Sequence, residues 1–185
     1  MSTLIDSYNE DSWSTDVQLG YWLYKGMGQS FQTTESTTLD SCKFNLKKVG
    51  SPTGNATAAL YSHSGTYGST GIPDTLLATS DNFDISSLST SYSLATFNFS
   101  GANRVELSAS TDYFIVVLYE DGIVDNYLQM AGSNLKGHSG NGAQFAMETS
   151  EWSAQNFWDY GFYVYGEDGT PTVGVKYPLP AFKRP

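Results

Sequence analysis

The chain has 185 residues, of which 15% are aromatic and only 15% are charged, and its formal net charge is −10. A chain of this length forms one ordinary domain with a substantial core. Its negative charge argues against nucleic acid and anionic membrane surfaces as partners. The single cysteine, Cys42, excludes an intramolecular disulfide.

The N-terminal third predicts short strands separated by turns. We expect strands over residues 4–8 and 17–25, an acidic loop between them and a glycine-rich bend over residues 26–30. From residue 39 onward, Cys42, Phe44 and Leu46 alternate with polar residues, which predicts a strand with one buried face. The turn residues of 50–55 then lead into a strand over residues 56–62, with Ala58 and Leu60 facing inward.

The middle of the chain continues in the same way. Residues 63–76 are rich in Gly, Ser and Thr and predict a long surface loop. Further strands are expected over residues 77–85, 92–100 and 104–107. After them come a strand over 126–131, a Gly/Ser/His loop over 132–142, a segment over 145–148 that pairs at a sheet edge, and a closing strand over 157–166 in which Trp158 faces the core.

Residues 112–119 predict the central strand, because both alternating sets of side chains are apolar. Tyr113, Ile115, Val117 and Tyr119 would lie on one side, and Phe114, Val116 and Leu118 on the other. A strand with one wet face alternates apolar and polar residues, so this strand should be covered on both faces.

Many short strands with turn signals predict an all-β fold, a two-sheet antiparallel β-sandwich of jelly-roll type over residues 1–168. An extended, proline-rich and basic C-terminal tail over residues 169–185 would follow and dock by strand addition on its own domain or on a neighbouring subunit. The assembly residues of this tail are Val173, Val175, Lys176, Tyr177, Leu179, Phe182, Lys183 and Arg184.

Three stretches resemble a known family of domains. They are LDSCKFNLKKVGSPTGNATAALYSHSGTYG at residues 39–68, LATSDNFDISSLSTSYSLATFNFSGANRVELSASTDYFIVVLYEDG at residues 77–122, and HSGN at residues 138–141. They are similar to the choice-of-anchor β-sandwich domains of phage and prophage structural proteins and bacterial surface proteins. Those domains are similar in outline to carbohydrate-binding jelly rolls. The resemblance covers residues 1–168 and implies no family-wide catalytic motif.

The sequence offers little for catalysis, and we expect a protein that is not an enzyme. One cysteine and two distant histidines, His63 and His138, do not supply a zinc site, and both histidines are expected to hydrogen-bond within loops. Residues 137–141 lack the second glycine of a hydrolase elbow. No cofactor is expected except a structural calcium ion. Its candidate ligands are Glu120, Asp121 and Asp125, or else Asp6, Glu10, Asp11 and Asp16.

Aromatic side chains in polar surroundings are the usual platforms for sugar rings. Trp13 and Trp152 lie in polar, loop-like sequence, and Tyr67 lies in the predicted long loop. These three residues are therefore the candidates for a glycan-binding surface.

Two functions fit this sequence. The first is a virion structural protein, a phage head decoration or a tail- or fibre-associated domain. Its partners would be other virion proteins or copies of itself, and its exposed loops could bind cell-surface glycans. The N-terminus lacks the features of a secretion signal, which agrees with assembly in the host cytoplasm, and no apolar run predicts membrane insertion. The second is a free-standing carbohydrate-binding or adhesin module with an extracellular or cell-surface location.

Overall fold

The computed structural model describes residues 1–9, 15–20 and 24–167, and it folds them into β-strands without an α-helix. Within these residues the strands are, in chain order, β1 (Ser2–Tyr8), β2 (Thr15–Leu19), β3 (Tyr24–Gln32), β4 (Thr37–Val49), β5 (Asn55–Ser64), β6 (Ile72–Thr79), β7 (Phe83–Asp84), β8 (Ser93–Asn98), β9 (Glu106–Leu107), β10 (Asp112–Leu118), β11 (Tyr127–Ser133), β12 (Gly142–Ala146), β13 (Glu151–Gln155), β14 (Asp159–Tyr160) and β15 (Phe162–Glu167). Two short 3₁₀ turns occur at Ile85–Ser87 and Gly101–Asn103.

The strands form two antiparallel sheets. The eight-stranded sheet has the order β1-β15-β4-β11-β14, with β2 added on β11 and with β8 and β9 added on β4. The seven-stranded sheet has the order β13-β12-β3-β10-β5-β6, with β7 added on β5. The predicted all-β, two-sheet antiparallel sandwich is therefore confirmed. The predicted tail over residues 169–185 lies outside the described residues.

The main core lies between the two sheets and follows the alternation of the strands. Cys42, Phe44 and Leu46 point into it from β4, as predicted, and Ala58 and Leu60 point into it from β5. Trp158 is partly buried and packs against this core. None of the described helical turns is long and apolar enough to cross a membrane.

The central strand β10 lies between β3 and β5 and is covered on both sides, as predicted. Tyr113, Ile115 and Val117 belong to the main core. Phe114 and Val116 are fully buried on the opposite side, in a second cluster with Ala59 and Ala143. Leu118 packs against this second cluster and is only partly buried.

The seven-stranded sheet is curled around the second cluster. In a flat sheet, its outer strands β13 and β6 would lie five strand spacings, or about 24 Å, apart. Instead, Cα atoms of β13 and β6 approach within 8 Å of each other. We call this curled sheet the half-barrel. Its concave side faces away from the eight-stranded sheet, because Trp152 of β13 and Tyr61 of β5 meet there.

Several details of the sequence prediction are wrong. The strand predicted over residues 17–25 is divided between β2, which ends at Leu19, and β3, which begins at Tyr24 in the other sheet. Residues 26–30 form the middle of β3 and not a bend. Gly28 is required there by close packing, since a Cβ atom would lie 2.0 Å from the carbonyl oxygen of Ile115. Residues 72–76 belong to β6 and not to a loop, because they pair with β5 through a register shift, while β6 itself ends at Thr79. The segment around Phe145 is an interior strand, since β12 pairs with both β3 and β13.

Candidate functional site

Trp152 lies on the concave side of the half-barrel and not in a polar loop, which corrects the surroundings predicted for it. It is residue two of β13 and is half-buried. Its ring centroid is 5.1 Å from that of Phe145, its partner on β12, and 5.7 Å from that of Tyr61 on β5. Its Cη2 atom lies 2.9 Å from the position that a Cβ at Gly26 would take. The indole therefore spans the seam at which the sheet nearly closes.

Tyr67 lies at the other end of the same concave side. The ring of His63 stacks on buried Phe114 with the centroids 5.2 Å apart and the planes at 10°. Tyr67 covers His63, with the centroids 5.9 Å apart. Two of the three predicted glycan-binding residues thus belong to the set of aromatic rings on this concave side, Trp152 in contact with Tyr61 and Phe145, and Tyr67 in contact with His63. The third, Trp13, lies outside the described residues.

We call this set the aromatic strip. Its members are half-buried side chains that share the concave side of the half-barrel: Tyr61, His63, Tyr67, Phe145 and Trp152. Sequence reasoning missed Tyr61 and Phe145. The alternation of β5 offered a signal for Tyr61, because Ala58 and Leu60 face the main core and Tyr61 must face away from it.

Two buried polar atoms, Nε2 of His63 in the strip and Oδ1 of Asn141, lack hydrogen-bond partners. Both lie against Gly71, at 2.3 Å and 2.7 Å from the position that its Cβ would occupy. The amide group of Asn141 donates to the carbonyl oxygens of Gly71 and Gly142, at 2.8 Å and 2.9 Å, and this fixes its orientation. His63 was expected to hydrogen-bond within a loop. It lies in β5 instead, where its ring packs flat and leaves Nε2 unpaired.

The loop between β11 and β12 is held by buried hydrogen bonds. Asp159 is 1% exposed, and its carboxylate accepts from the backbone N–H groups of Gly137 and His138 and from Nε2 of Gln29, at 2.7 to 2.9 Å. His138 Nδ1 accepts from the backbone N–H of Gly140 at 3.0 Å. Because Nδ1 accepts, the proton of the neutral ring is on Nε2, and this Nε2–H donates to the carboxylate of Asp6 at 3.3 Å. The loop thereby places the Ser139 hydroxyl 3.3 Å from that of Tyr67.

The electrostatic potential at the Tyr67 end of the strip is negative. Burial raises the pKa of Tyr67, the hydrogen bond with Ser139 acts against it, and the carboxylates of Asp6, Asp112 and Asp159 raise the pKa further. Burial lowers the pKa of His63, and Asp112 only partly offsets this effect. Tyr67 and His63 are therefore uncharged near neutral pH, and the surrounding carboxylates disfavour an anionic ligand.

The candidate calcium ligands that the structure describes are not gathered into a cluster. Glu120 pairs with Lys25 at 3.6 Å, and Asp125 occupies a turn with φ of 66°. Asp16 is engaged by Lys47 and Tyr92, at 3.1 Å and 2.5 Å. Within residues 1–9, 15–20 and 24–167, no three His, Cys, Asp or Glu side chains form a group that could hold a metal ion. Glu10 and Asp11 lie outside these residues, and calcium binding stays a prediction.

Comparisons of the chain with protein-family models, with curated proteins and with solved structures find no match.

Proposed function

We propose that this protein is a non-enzymatic structural component of a virion, a head decoration or a tail- or fibre-associated β-sandwich, that binds glycans through its aromatic strip. The observation that supports glycan binding is the placement of Trp152 and Tyr67 on one concave side, in ring contact with Tyr61 and His63 respectively. Partly exposed aromatic rings can stack on the apolar faces of sugars. The resemblance in residues 39–68 and 77–122 supports the virion assignment.

The electrostatics of the strip favour a neutral glycan. The carboxylates of Asp6, Asp112 and Asp159 act on Tyr67, and the Tyr67 and Ser139 hydroxyls lie at the same end. Hydroxyl groups exchange hydrogen bonds with sugar hydroxyls without requiring charge. A neutral hexose-containing oligosaccharide is therefore the ligand class that suits this surface.

Glycan-array binding followed by calorimetry tests the strip. Trp152→Ala and Tyr67→Ala should each weaken binding by about 0.5–1.5 kcal/mol, the contribution typical of one aromatic contact. Phe157→Ala is the matched control, because Phe157 is an exposed aromatic (69%) outside the strip. Thermal denaturation of each variant separates loss of the fold from loss of the site. Binding that survives both strip substitutions would refute this assignment.

A protein inventory of purified particles tests the virion assignment. The protein should appear in stoichiometric amounts in particles, and its removal should leave a visible gap in electron micrographs. The alternative, a free-standing carbohydrate-binding or adhesin module, predicts glycan affinity without any association with particles.

Deleting residues 170–185 should leave a folded domain that no longer joins the particle or its own oligomer. Normal assembly of the truncated protein would exclude docking by the tail.

A further inference from the structure

A second group of polar and aromatic side chains lies on the outer face of the eight-stranded sheet, whereas the aromatic strip belongs to the seven-stranded sheet. A β-bulge in β4 produces it. Leu39 and Cys42 both face the main core, and the pairing with β15 shifts between them. Two consecutive residues, Asp40 and Ser41, therefore lie between two core-facing residues, and neither belongs to the core.

An open depression lies at this bulge. It crosses four neighbouring strands and is lined by side chains from each of them: Ser2, Asp40, Ser41, Lys43, Thr96 and Tyr165. Lys43 is paired with Thr96 of β8 on one side and with Tyr163 of β15 on the other. The half-buried rings of Tyr163 and Tyr165 are nearly parallel, with planes at 13° and centroids 6.5 Å apart.

The charges of this depression are unevenly compensated. Asp40 is 3.6 Å from the guanidinium group of Arg104, which also bonds Glu167 at 2.5 Å. Lys43 Nζ instead lies 4.9 Å from the centroid of the Tyr165 ring, and no carboxylate of the described residues lies within ion-pair distance of it. Asp40 is thus paired with a cation, whereas Lys43 is paired with no carboxylate among the residues that the structure describes.

Lys47 provides a contrast on the same strand. It lies four residues further along β4 and also approaches a tyrosine, with Nζ 4.4 Å from the Tyr92 ring centroid. Unlike Lys43, it is neutralised by Asp16 at 3.1 Å. The two lysines share a strand and a type of ring contact, and they differ in whether a carboxylate is already present.

We propose that this depression binds a carboxylated sugar, with the Lys43 ammonium group holding the sugar carboxylate. A charge-assisted hydrogen bond to an unpaired ammonium group is stronger than a neutral one. Because Lys43 Nζ lies over the Tyr165 ring, a sugar carboxylate held by Lys43 would bring the pyranose ring beside Tyr165, which lines the depression. Ser2 and Thr96 line the same depression, and their side chains carry hydroxyl groups that can exchange hydrogen bonds with sugar hydroxyls. Asp40 also lines it, and its charge is paired with Arg104.

This site is distinct from the aromatic strip and favours sugars of the opposite kind, acidic instead of neutral. The strip lies among carboxylates and suits neutral sugars, whereas the Lys43 depression carries a lysine that no described carboxylate pairs with, and it suits acidic sugars. The two sites lie on different sheets, so Trp152→Ala leaves the acidic-sugar site intact. The two proposals therefore fail or succeed separately.

Nuclear magnetic resonance titration of the full chain tests the proposal with three probes: a glucuronate-containing disaccharide, the matching neutral glucose disaccharide and inorganic phosphate. The glucuronate disaccharide should bind at least about tenfold more tightly than the neutral one, a difference within the range of one charge-assisted bond. Its affinity should fall as salt is added. Shifted resonances should map to Lys43, Thr96 and Tyr165.

Lys43→Gln should lower the glucuronate affinity by about tenfold or more and bring it to the level of the neutral disaccharide. Lys47→Gln removes the same formal charge from the same strand and should change the affinity by less than about twofold. The proposal is overturned if Lys43→Gln has no effect, if both lysine variants weaken binding equally, or if no glucuronate binding is seen. It is also overturned if phosphate displaces the disaccharide at equal concentration, because that would indicate a general anion surface.

Discussion

Single residues decide how closely the strands of the half-barrel approach one another. Gly28 of β3 faces Val116 of β10, and a Cβ at Gly28 would lie 2.5 Å from the Val116 Cα. The obstructing atoms belong to the backbone of the central strand, so they cannot rotate away as a side chain could. Glycine at this position therefore sets the spacing at which β3 and β10 pair beneath the second cluster.

We expect Gly28→Ala to destabilise the protein by about 3 kcal/mol, because overpacking against the backbone forces strands apart. Chemical denaturation measures this loss. Gly101→Ala is the control, since no atom lies within 4 Å of its Cβ position. Its φ of 55° should cost only about 1 kcal/mol. Equal losses in the two variants would show that packing at Gly28 is not the cause.

His63 should make folding stability dependent on pH in the weakly acidic range. Burial lowers its pKa in the folded state below the ordinary value of 6.5. Below that value the unfolded chain binds more protons than the folded one, so stability falls as the pH falls. His63→Phe keeps a ring over Phe114 and removes the titration. The free energy of unfolding should therefore change less between about pH 7 and about pH 5.5 in the variant. An unchanged dependence would contradict the role of His63.

Among the strands, we expect β10 to contribute most to folding stability, because its side chains belong to both the main core and the second cluster. One set of its side chains fills the space between the sheets, and the other fills the concave side of the half-barrel. A substitution at either set therefore removes packing from a closed apolar space. The strands at the periphery, such as β6, present exposed side chains instead, including Leu77 at 41% exposure.

Val116→Asp should cost several kcal/mol and abolish the fold, because it buries an unpaired charge in the second cluster. Circular dichroism and thermal denaturation report the outcome. Leu77→Asp places the same side chain on β6 and should shift stability by no more than about 1 kcal/mol. If Val116→Asp melted at the temperature of the unchanged protein, β10 would not be the central strand that we describe.

At the scale of the whole molecule, the accessibility of the Cys42 thiol to reagents measures whether the two sheets stay packed against each other. Its side chain is fully buried in the main core, and burial raises the pKa of its thiol well above the ordinary value. The reactive thiolate is thus suppressed, and reagents cannot reach the sulfur while the sheets stay packed.

Cys42 should therefore remain unlabelled by a maleimide reagent in the folded protein and become labelled when the sandwich opens. Mass spectrometry across a denaturant series should give a labelling midpoint that coincides with loss of the circular dichroism signal. Fast labelling without denaturant would reveal a local opening of β4 that the packing does not predict.

Local patterns determined the class of this fold and much of its core. Alternation in β4 identified Cys42, Phe44 and Leu46, and the two apolar sets of β10 identified a strand covered on both faces, because strand periodicity is a local property. Tertiary structure alone decided what covers the second face. Three contacts join residues that are distant in sequence, and no local pattern encodes such contacts. They are the curl that brings β13 to β6, the approach of β10 that requires Gly28, and the pairing of Asp40 with Arg104.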